Sequence, residues 1–169
     1  RPAQKAIGAG TFDSKAAKAE IEGIDLGFTD MPLANLILDG GLQYLDAKYP
    51  EGELQQFDVV FAPDWSGNIA ATLLLPLADG ITYLRADYSY MGDHYTNTTY
   101  QPPDTEQDRE LVNARLGWRN DDWDAAIWVK NATDESYSSL SAAPFLLTGM
   151  RAEFLAAPRT YGVTLKYNF

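Results

Sequence analysis

Residues 159–169 constrain the fold of this chain more than any other segment. Apolar side chains take its odd positions: Tyr161, Val163, Leu165, Tyr167 and Phe169. Threonine, glycine, lysine and asparagine take the even positions from 160 to 168. Because successive side chains of a strand point to opposite faces, we predict a β-strand with one apolar face that reaches the aromatic Phe169. The pattern is typical of a lipid-facing strand of a transmembrane β-barrel, and a strand of a soluble β-sandwich can also show it.

The same two-residue alternation recurs upstream and predicts an all-β, antiparallel fold of about seven strands with almost no helix. The predicted strands are residues 15–29, 34–48, 65–75, 82–95, 109–119, 123–131 and 159–169. In the first of these strands the apolar side chains change face near Gly23, and we expect a β-bulge there because glycine tolerates one.

The connections between the predicted strands alternate strictly in length. Residues 30–33, 76–81 and 120–122 are short connections, whereas residues 49–64, 96–108 and 132–158 are long and polar. An up-and-down transmembrane barrel has short periplasmic turns on one rim and long extracellular loops on the other. Greek-key sandwiches lack this regularity. The pattern therefore favours a bacterial outer-membrane barrel whose C-terminus is periplasmic.

An odd number of strands that begins at the extracellular rim does not make a complete barrel of this type, because strand numbers are even and both termini are periplasmic. Open edges in lipid would also leave backbone groups without hydrogen-bond partners. We therefore expect residues 1–169 to be the C-terminal portion of a larger barrel.

Composition and single residues exclude several function classes. The net charge of −11 argues against a nucleic-acid partner, and the absence of cysteine removes disulfides and thiolate chemistry. The one histidine, His94, follows Asp93 directly, and neighbours on a strand face opposite ways, so no catalytic triad is expected. The acidic residues at 121, 122 and 124 lack the spacing of a calcium loop. The chain is predicted to be no enzyme and to hold no cofactor and no metal.

Two motifs resemble one protein family. Residues 129–137 read Val-Lys-Asn-Ala-Thr-Asp-Glu-Ser-Tyr and resemble the "NLTDxxY" segment that ends the penultimate strand of TonB-dependent outer-membrane receptors, with Ala132 where leucine is usual. Residues 158–169 resemble the final strand of that family. Residues 17–25, 42–49 and 86–90 are similar in a weaker way. The family-motif positions other than the alternating apolar residues of the last strand are Asn131, Thr133, Asp134, Tyr137, Pro158 and Arg159.

The resemblance implies a barrel of 22 strands whose lumen is closed by an N-terminal plug. It implies uptake of a scarce nutrient, such as a ferric siderophore or another metal chelate, driven by TonB through the plug. The plug and its TonB box would lie upstream. The resemblance also implies that the barrel-assembly machinery recognises the alternating residues of the last strand: Tyr161, Val163, Leu165, Tyr167 and Phe169.

The remaining side chains divide between the two faces and the loops. On the polar face we expect a lumen lining that contains Arg85, Asp87, Asn113, Arg115, Asp124 and Lys130. Aromatic residues on or beside the long connections either stack against a ligand or form the outer aromatic belt, and the belt is favoured for Trp65 and Tyr95. The other aromatic residues on or beside the long connections are Tyr100, Tyr137 and Phe145. No ligand-binding residue is assigned.

Three alternatives to a TonB-dependent receptor stay open from the sequence. A passive outer-membrane channel would use the same strands without a plug. A soluble antiparallel β-domain that binds ligands would cover the apolar face with a second layer. An outer-membrane enzyme is the weakest alternative, because no nucleophile–base pair is visible.

Overall fold

The computed structural model describes residues 2–6, 12–16, 18–52, 55–96, 105–106, 108–142 and 152–169. All the regular elements among them are β-strands, and none of these residues belongs to a helix long and apolar enough to cross a membrane. The strands are β1 (Pro2–Ala6), β2 (Phe12–Ala16), β3 (Glu20–Leu33), β4 (Leu36–Lys48), β5 (Trp65–Leu77), β6 (Gly80–Met91), β7 (His94–Tyr95), β8 (Thr105–Glu106), β9 (Arg109–Arg119), β10 (Trp123–Lys130), β11 (Ser138–Ala142), β12 (Ala152–Leu155) and β13 (Thr160–Tyr167).

Seven long strands form one antiparallel sheet in the order β13-β10-β9-β6-β5-β4-β3. Long strands that follow one another along the chain are neighbours in the sheet, so the sheet is an up-and-down meander. The predicted seven-stranded antiparallel architecture is confirmed. The short strands pair separately as β1–β2, β7–β8 and β11–β12. The sequence did not predict these short pairs, since two to five residues are too few for a clear alternation.

The two ends of the sheet differ in the way that the connection lengths predicted. One end, here the turn rim, carries the short turns 34–35, 78–79 and 120–122. The opposite end, here the loop rim, carries the connections 49–64, 92–108 and 131–159, which include β7, β8, β11 and β12.

The cross-strand register places most apolar residues of the seven strands on one side of the sheet, and a few, such as Ile37 and Trp128, on the other. Across β4 and β5 Leu38 pairs with Ala71, which pairs with Ala86 on β6, so side chains of like polarity stay together. We call the side with most of the apolar residues the apolar face. It consists of the even-numbered residues of β4, β6 and β9 and the odd-numbered residues of β5, β10 and β13. On β3 it consists of the even-numbered residues up to Asp30. The other residues of these strands form the polar face.

The apolar face is not covered by a second layer. Among the described residues only Tyr49, Ala70 and Ala126 are buried apolar side chains. By contrast, Tyr161 is 82% exposed and Val163 is 76% exposed. A soluble β-domain must pack its apolar face against another layer, and the described part of this chain has no such layer. The sheet is therefore one layer thick with a large apolar surface.

The predicted position of the β-bulge in the first long strand is wrong. No bulge occurs at Gly23: the register with β4 runs unbroken from Glu20 to Asp30, and the irregularity lies between Asp30 and Leu33. The apolar residues change face near Gly23 because Ile21 lies on the polar face. Gly23 itself is required by close approach, since a Cβ atom there would lie 2.6 Å from the backbone oxygen of Tyr44.

The predicted ends of three strands also need correction. The strand expected at 15–29 is two elements, with Lys15 in β2 and the long strand beginning at Glu20. The strand expected to reach residue 95 ends at Met91, and residues 94–95 form the separate strand β7. The final strand ends at Tyr167 rather than at Phe169, although the N–H of Asn168 still donates to the carbonyl of Asp122 at 2.8 Å.

The two glycines of β3 give a matched test of the close approach. Gly23→Ala places a methyl group against the backbone oxygen of Tyr44, which cannot move aside, and we expect a loss of about 1–3 kcal/mol in unfolding free energy. Gly27→Ala also lies on the polar face, where the nearest atom is a backbone oxygen at 3.9 Å, and it should be tolerated. Urea unfolding of the whole barrel in lipid vesicles measures both variants. Equal midpoints would contradict the predicted crowding at Gly23.

The exposure of β13 gives a test of which face meets lipid. Leu165→Arg puts a cation on the apolar face, and a cation at mid-bilayer depth costs roughly 2–4 kcal/mol. Lys166→Arg changes the adjacent residue on the polar face and should have little effect. The measurement is the folding yield and stability of both variants of the full-length barrel in lipid vesicles. Equal results would contradict the assignment of the two faces.

Candidate functional site

An ion pair crosses the polar face between strands that are not neighbours. Arg85 on β6 donates two hydrogen bonds to the carboxylate of Asp39 on β4, at 3.0 and 3.1 Å, and a third at 3.0 Å to the hydroxyl of Thr72. The bridge passes over β5 at Ala70, which is only 2% exposed and small enough to lie beneath it. A bidentate pair of this kind holds both side chains in one geometry.

A second cluster on the polar face is built around Tyr83. Its hydroxyl donates to Asp124 at 3.0 Å and accepts from Nε of Arg115 at 3.0 Å, so one phenol joins strands β6, β9 and β10. The ring occupies the space above Gly117, where an added Cβ would lie 2.4 Å from the ring and hydroxyl atoms. Glycine at 117 therefore gives Tyr83 the room to reach both partners.

These cross-strand contacts are the part of the lumen lining that the sequence did not predict. Arg85 and Asp39 are 46 residues apart, and Tyr83 and Asp124 are 41 residues apart, so no local pattern connects them. The predicted lining residues all lie on the polar face: Arg85, Asp87, Asn113, Arg115, Asp124 and Lys130.

Cations collect on one half of the polar face. On this half, formed by β6, β9, β10 and β13, the only carboxylates of the described strands are those of Asp87 and Asp124. The cations there are Arg85, Arg109, Arg115, Arg119, Lys130 and Lys166. The other half, β3 to β5, places there the carboxylates of Asp25 and Asp39 and no cation. In a chain with a net charge of −11, this wall attracts anions locally. An open concavity of about 440 Å³ lies against Arg85, Arg115 and Lys130.

Asn131 is the centre of a compact structure at the loop rim. It is 6% exposed and has a left-handed backbone, with φ 51°. Its side-chain oxygen accepts from the N–H of Glu135 at 2.8 Å, and its side-chain nitrogen donates to the carbonyls of Glu135 at 2.8 Å and Ala157 at 3.4 Å. The amide thus ties together the two ends of the connection 131–159, and asparagine is one of the few residues that tolerate this backbone conformation.

Asp134 and Arg159 close the same structure from the other side. The carboxylate of Asp134 accepts from the backbone N–H of Arg159 at 2.9 Å and lies 3.6 Å from its guanidinium. The guanidinium also donates to the carbonyl of Ala132 at 3.3 Å. We call this assembly of Asn131, Asp134 and Arg159 the loop root.

The other motif residues have different surroundings. The guanidinium of Arg109 lies 4.4 Å from the ring centre of Tyr137, a cation–π contact that joins β9 to the connection. Thr133 and Pro158 are exposed, and their roles stay predictions. Two motif segments that are about 25 residues apart in sequence are therefore adjacent in the fold through Asn131, Asp134 and Arg159.

The loop-rim ends of β3 and β4 carry exposed charges beyond the last apolar pair, Ile24 and Tyr44. The ammonium of Lys18 donates to Glu20 at 2.7 Å and holds the pKa of that carboxyl below its usual value. Hydrogen bonding to Asp46 raises the pKa of Lys48. Because both pairs are solvated, they contribute little to stability.

The aromatic residues expected near a ligand or in a belt lie in several places. Trp65 is on the apolar face, with its ring 4.8 Å from that of Tyr44, as the belt interpretation requires. Tyr95 is in β7, outside the seven-stranded sheet. Residues 100 and 145 lie outside the described residues. In the described part of the chain no three histidine, aspartate or glutamate side chains are placed to hold a metal, and His94 contacts the carbonyl of Gly92 at 2.9 Å.

The residues of the predicted assembly signal lie along the apolar face and at the turn rim. The ring of Tyr167 is 4.7 Å from that of Trp123 and 5.1 Å from that of Phe169. Tyr161, Val163 and Leu165 continue this surface toward the loop rim. Their recognition by the assembly machinery stays a prediction.

Comparison with known proteins identifies a family and a fold. A family model described as "TonB dependent receptor-like, beta-barrel" matches residues 3–132. The ferric yersiniabactin uptake receptor from Yersinia pestis superimposes with a TM-score of 0.81 at 16% identity, over 93% of this chain and 25% of that chain. The ferric preacinetobactin receptor from Acinetobacter baumannii gives 0.68 at 23% identity, over 100% and 26%.

A third similar structure is the ferric-catecholate import receptor from E. coli K12, with a TM-score of 0.69 at 19% identity, over 96% of this chain and 22% of that chain. At these identities the likeness concerns the fold. The chain spans about a quarter of the length of these three solved structures.

The loop root yields a direct test of Asn131. Asn131→Ala removes hydrogen bonds to both ends of the connection and leaves the part-buried backbone groups of Glu135 without these partners, which costs about 1–3 kcal/mol. We expect faster hydrogen exchange in residues 131–137 of the full-length barrel, with β9 and β10 still protected. Thr133→Ala, at an exposed neighbour, is the control. Unchanged exchange in Asn131→Ala would show that its amide does not hold the connection.

Proposed function

Because this chain belongs to the TonB-dependent receptor β-barrel family, we propose that it forms part of the barrel wall of an active transporter that takes up a ferric siderophore. The family places the protein in the bacterial outer membrane. The family match ends at Ala132 and does not include the motif at 158–169, so that motif is a separate line of support for the family.

The observation that carries the proposal is the uncovered apolar face, whose height fits a bilayer. On β5 this face extends from Trp65 to Leu77. Twelve residue steps of about 3.3 Å each, tilted by about 45°, rise about 28 Å along the membrane normal. The apolar band of outer-membrane barrels is about 25 Å tall. The apolar face therefore meets lipid and the polar face meets the lumen.

The rims give the orientation that we propose. Short turns are periplasmic and long loops are extracellular in barrels of this type, so the turn rim faces the periplasm. Because β13 runs from the loop rim toward the turn rim, Phe169 is on the periplasmic side, beside the aromatic pair of Trp123 and Tyr167. The last strand then presents Tyr161 through Phe169 to the barrel-assembly machinery from that side.

Both edges of the sheet call for further strands. β3 and β13 each have one side without a pairing strand among the described residues, and unpaired backbone groups are too costly in lipid. We propose that these edges pair with other strands of a parent barrel of which this chain is the C-terminal portion. The similar structures are about four times as long, which leaves room for those strands and for an N-terminal plug that TonB engages.

A metal chelate is the substrate class that the comparisons favour. The similar proteins are named as receptors for ferric yersiniabactin, ferric catecholate and ferric preacinetobactin. A cationic half of the polar face suits an anionic chelate that passes through the lumen. A passive channel would use the same wall, and energy dependence separates the two functions.

Uptake in whole cells tests the proposal. The full-length parent is expressed in a strain that lacks its own ferric siderophore receptors, and radioactive iron is supplied as each of the three chelates named above. We expect accumulation of at least one chelate, abolished by deletion of TonB or by a protonophore. Accumulation that persists without TonB would identify a passive channel. No accumulation of any of the three chelates would contradict the proposed substrate class.

A further inference from the structure

Asn113, on the polar face of β9, lies where the wall and the loop root meet. Its side-chain nitrogen donates to Asp87 at 2.6 Å, and its side-chain oxygen accepts from the backbone N–H of Asn131 at 2.9 Å. Both ends of the amide are therefore engaged, one in the sheet and one at the start of the connection 131–159.

On the wall side the contacts continue to β4. A carboxylate oxygen of Asp87 lies 3.9 Å from Nε of Arg85, whose guanidinium is bound to Asp39. Asp39, Ala70, Asp87 and Asn113 are successive register partners across β4, β5, β6 and β9. A single row of side chains thus extends from the middle of the polar face to the start of the connection.

On the loop side Asn113 determines how the chain leaves the sheet. Regular pairing of β10 with β9 ends at Val129 and Ala114. The N–H of Asn131 then donates to the Asn113 side chain, and the N–H of Ala132 donates to the carbonyl of Val112 at 2.8 Å. Residues 131 and 132 are therefore bound to β9 after the regular pairing has ended. The left-handed backbone of Asn131, the first residue of the loop root, lies at this point.

We propose that Asn113 is a positioning residue that fixes the start of the connection 131–159, at Asn131, against the inner wall. The inference rests on the proposed function, in which this connection faces the external chelate. The direction in which the connection leaves the wall depends on the Asn113 amide. Asp87 holds the other end of that amide by accepting from its nitrogen at 2.6 Å.

Four variants separate the two hydrogen bonds of Asn113. N113A removes both. N113D keeps an oxygen for the N–H of Asn131, but it removes the donor and sets a second carboxylate against Asp87. The double variant N113D/D87N exchanges the two groups, so a hydrogen bond of reversed polarity forms again. N68A removes an amide from the polar face of β5, away from the loop root, and is the matched control.

The position of the connection is measured by double electron–electron resonance on the full-length parent in a cysteine-free background. One spin label is placed at Ser136, an exposed residue of the connection, and the other at Asp121, an exposed residue of the turn rim. We expect a broadened or displaced distance distribution for N113A and N113D, and the native distribution for N113D/D87N and N68A. A native distribution in folded N113A would overturn the proposal, as would a failure of the exchanged pair to restore it.

Transport gives the second readout and keeps the two proposals distinguishable. For whichever of ferric yersiniabactin, ferric catecholate or ferric preacinetobactin the wild type takes up, N113A should raise the apparent KM about three- to tenfold, the effect of one net hydrogen bond. The maximal rate should be retained, and the exchanged pair should restore the KM. If the wild type transports none of these chelates, the proposed function fails, while the distance measurement still decides the role of Asn113.

Discussion

The absence of water in a bilayer is the constraint on which the rest of this structure depends. Backbone groups in lipid must be paired within the protein, which limits spanning segments to helices and closed sheets. Each of the five inner strands is paired with a neighbour on both sides, whereas β3 and β13 have a pairing strand on one side only among the described residues. The same constraint explains why the sheet has no second layer, because lipid takes the place of a packed core on the apolar face.

A single layer places unusual demands on the polar face. With almost no buried apolar side chains among the described residues, strand order must be reinforced by contacts across the surface. Arg85 and Tyr83 each connect three strands. Each needs a small residue beneath it: Ala70 lies under the Arg85–Asp39 pair, and Gly117 lies under the ring of Tyr83. The charged groups here are partly solvated, and in that environment pairing costs less desolvation than in a dry core.

The sequence predicted the sheet far better than the site, for a physical reason. Alternation is local, so the faces of Leu165 and Lys166 follow from their neighbours, and the turn lengths follow from the spacing of the strands. The misplaced bulge at Gly23 shows the limit: a change of apolar face in the sequence has the same appearance whether the backbone shifts or one residue, Ile21, faces the other way. Cross-strand partners such as Asp39 and Arg85 depend on register, which no local pattern contains.

The loop root shows how the wall and a variable loop can coexist in one chain. Asn131 and Arg159 bring the two ends of the connection together through contacts that lie within a few residues of β10 and β13. The cost of closing a loop rises only slowly with its length, by about 0.6 kcal/mol per doubling. Once the root is fixed, the residues between its ends can change in length and composition with little effect on strand pairing. The fold thus separates the strands that form the sheet from the residues between the ends of the connection, and Asn113 and Arg109 are side chains of β9 that keep the two in contact.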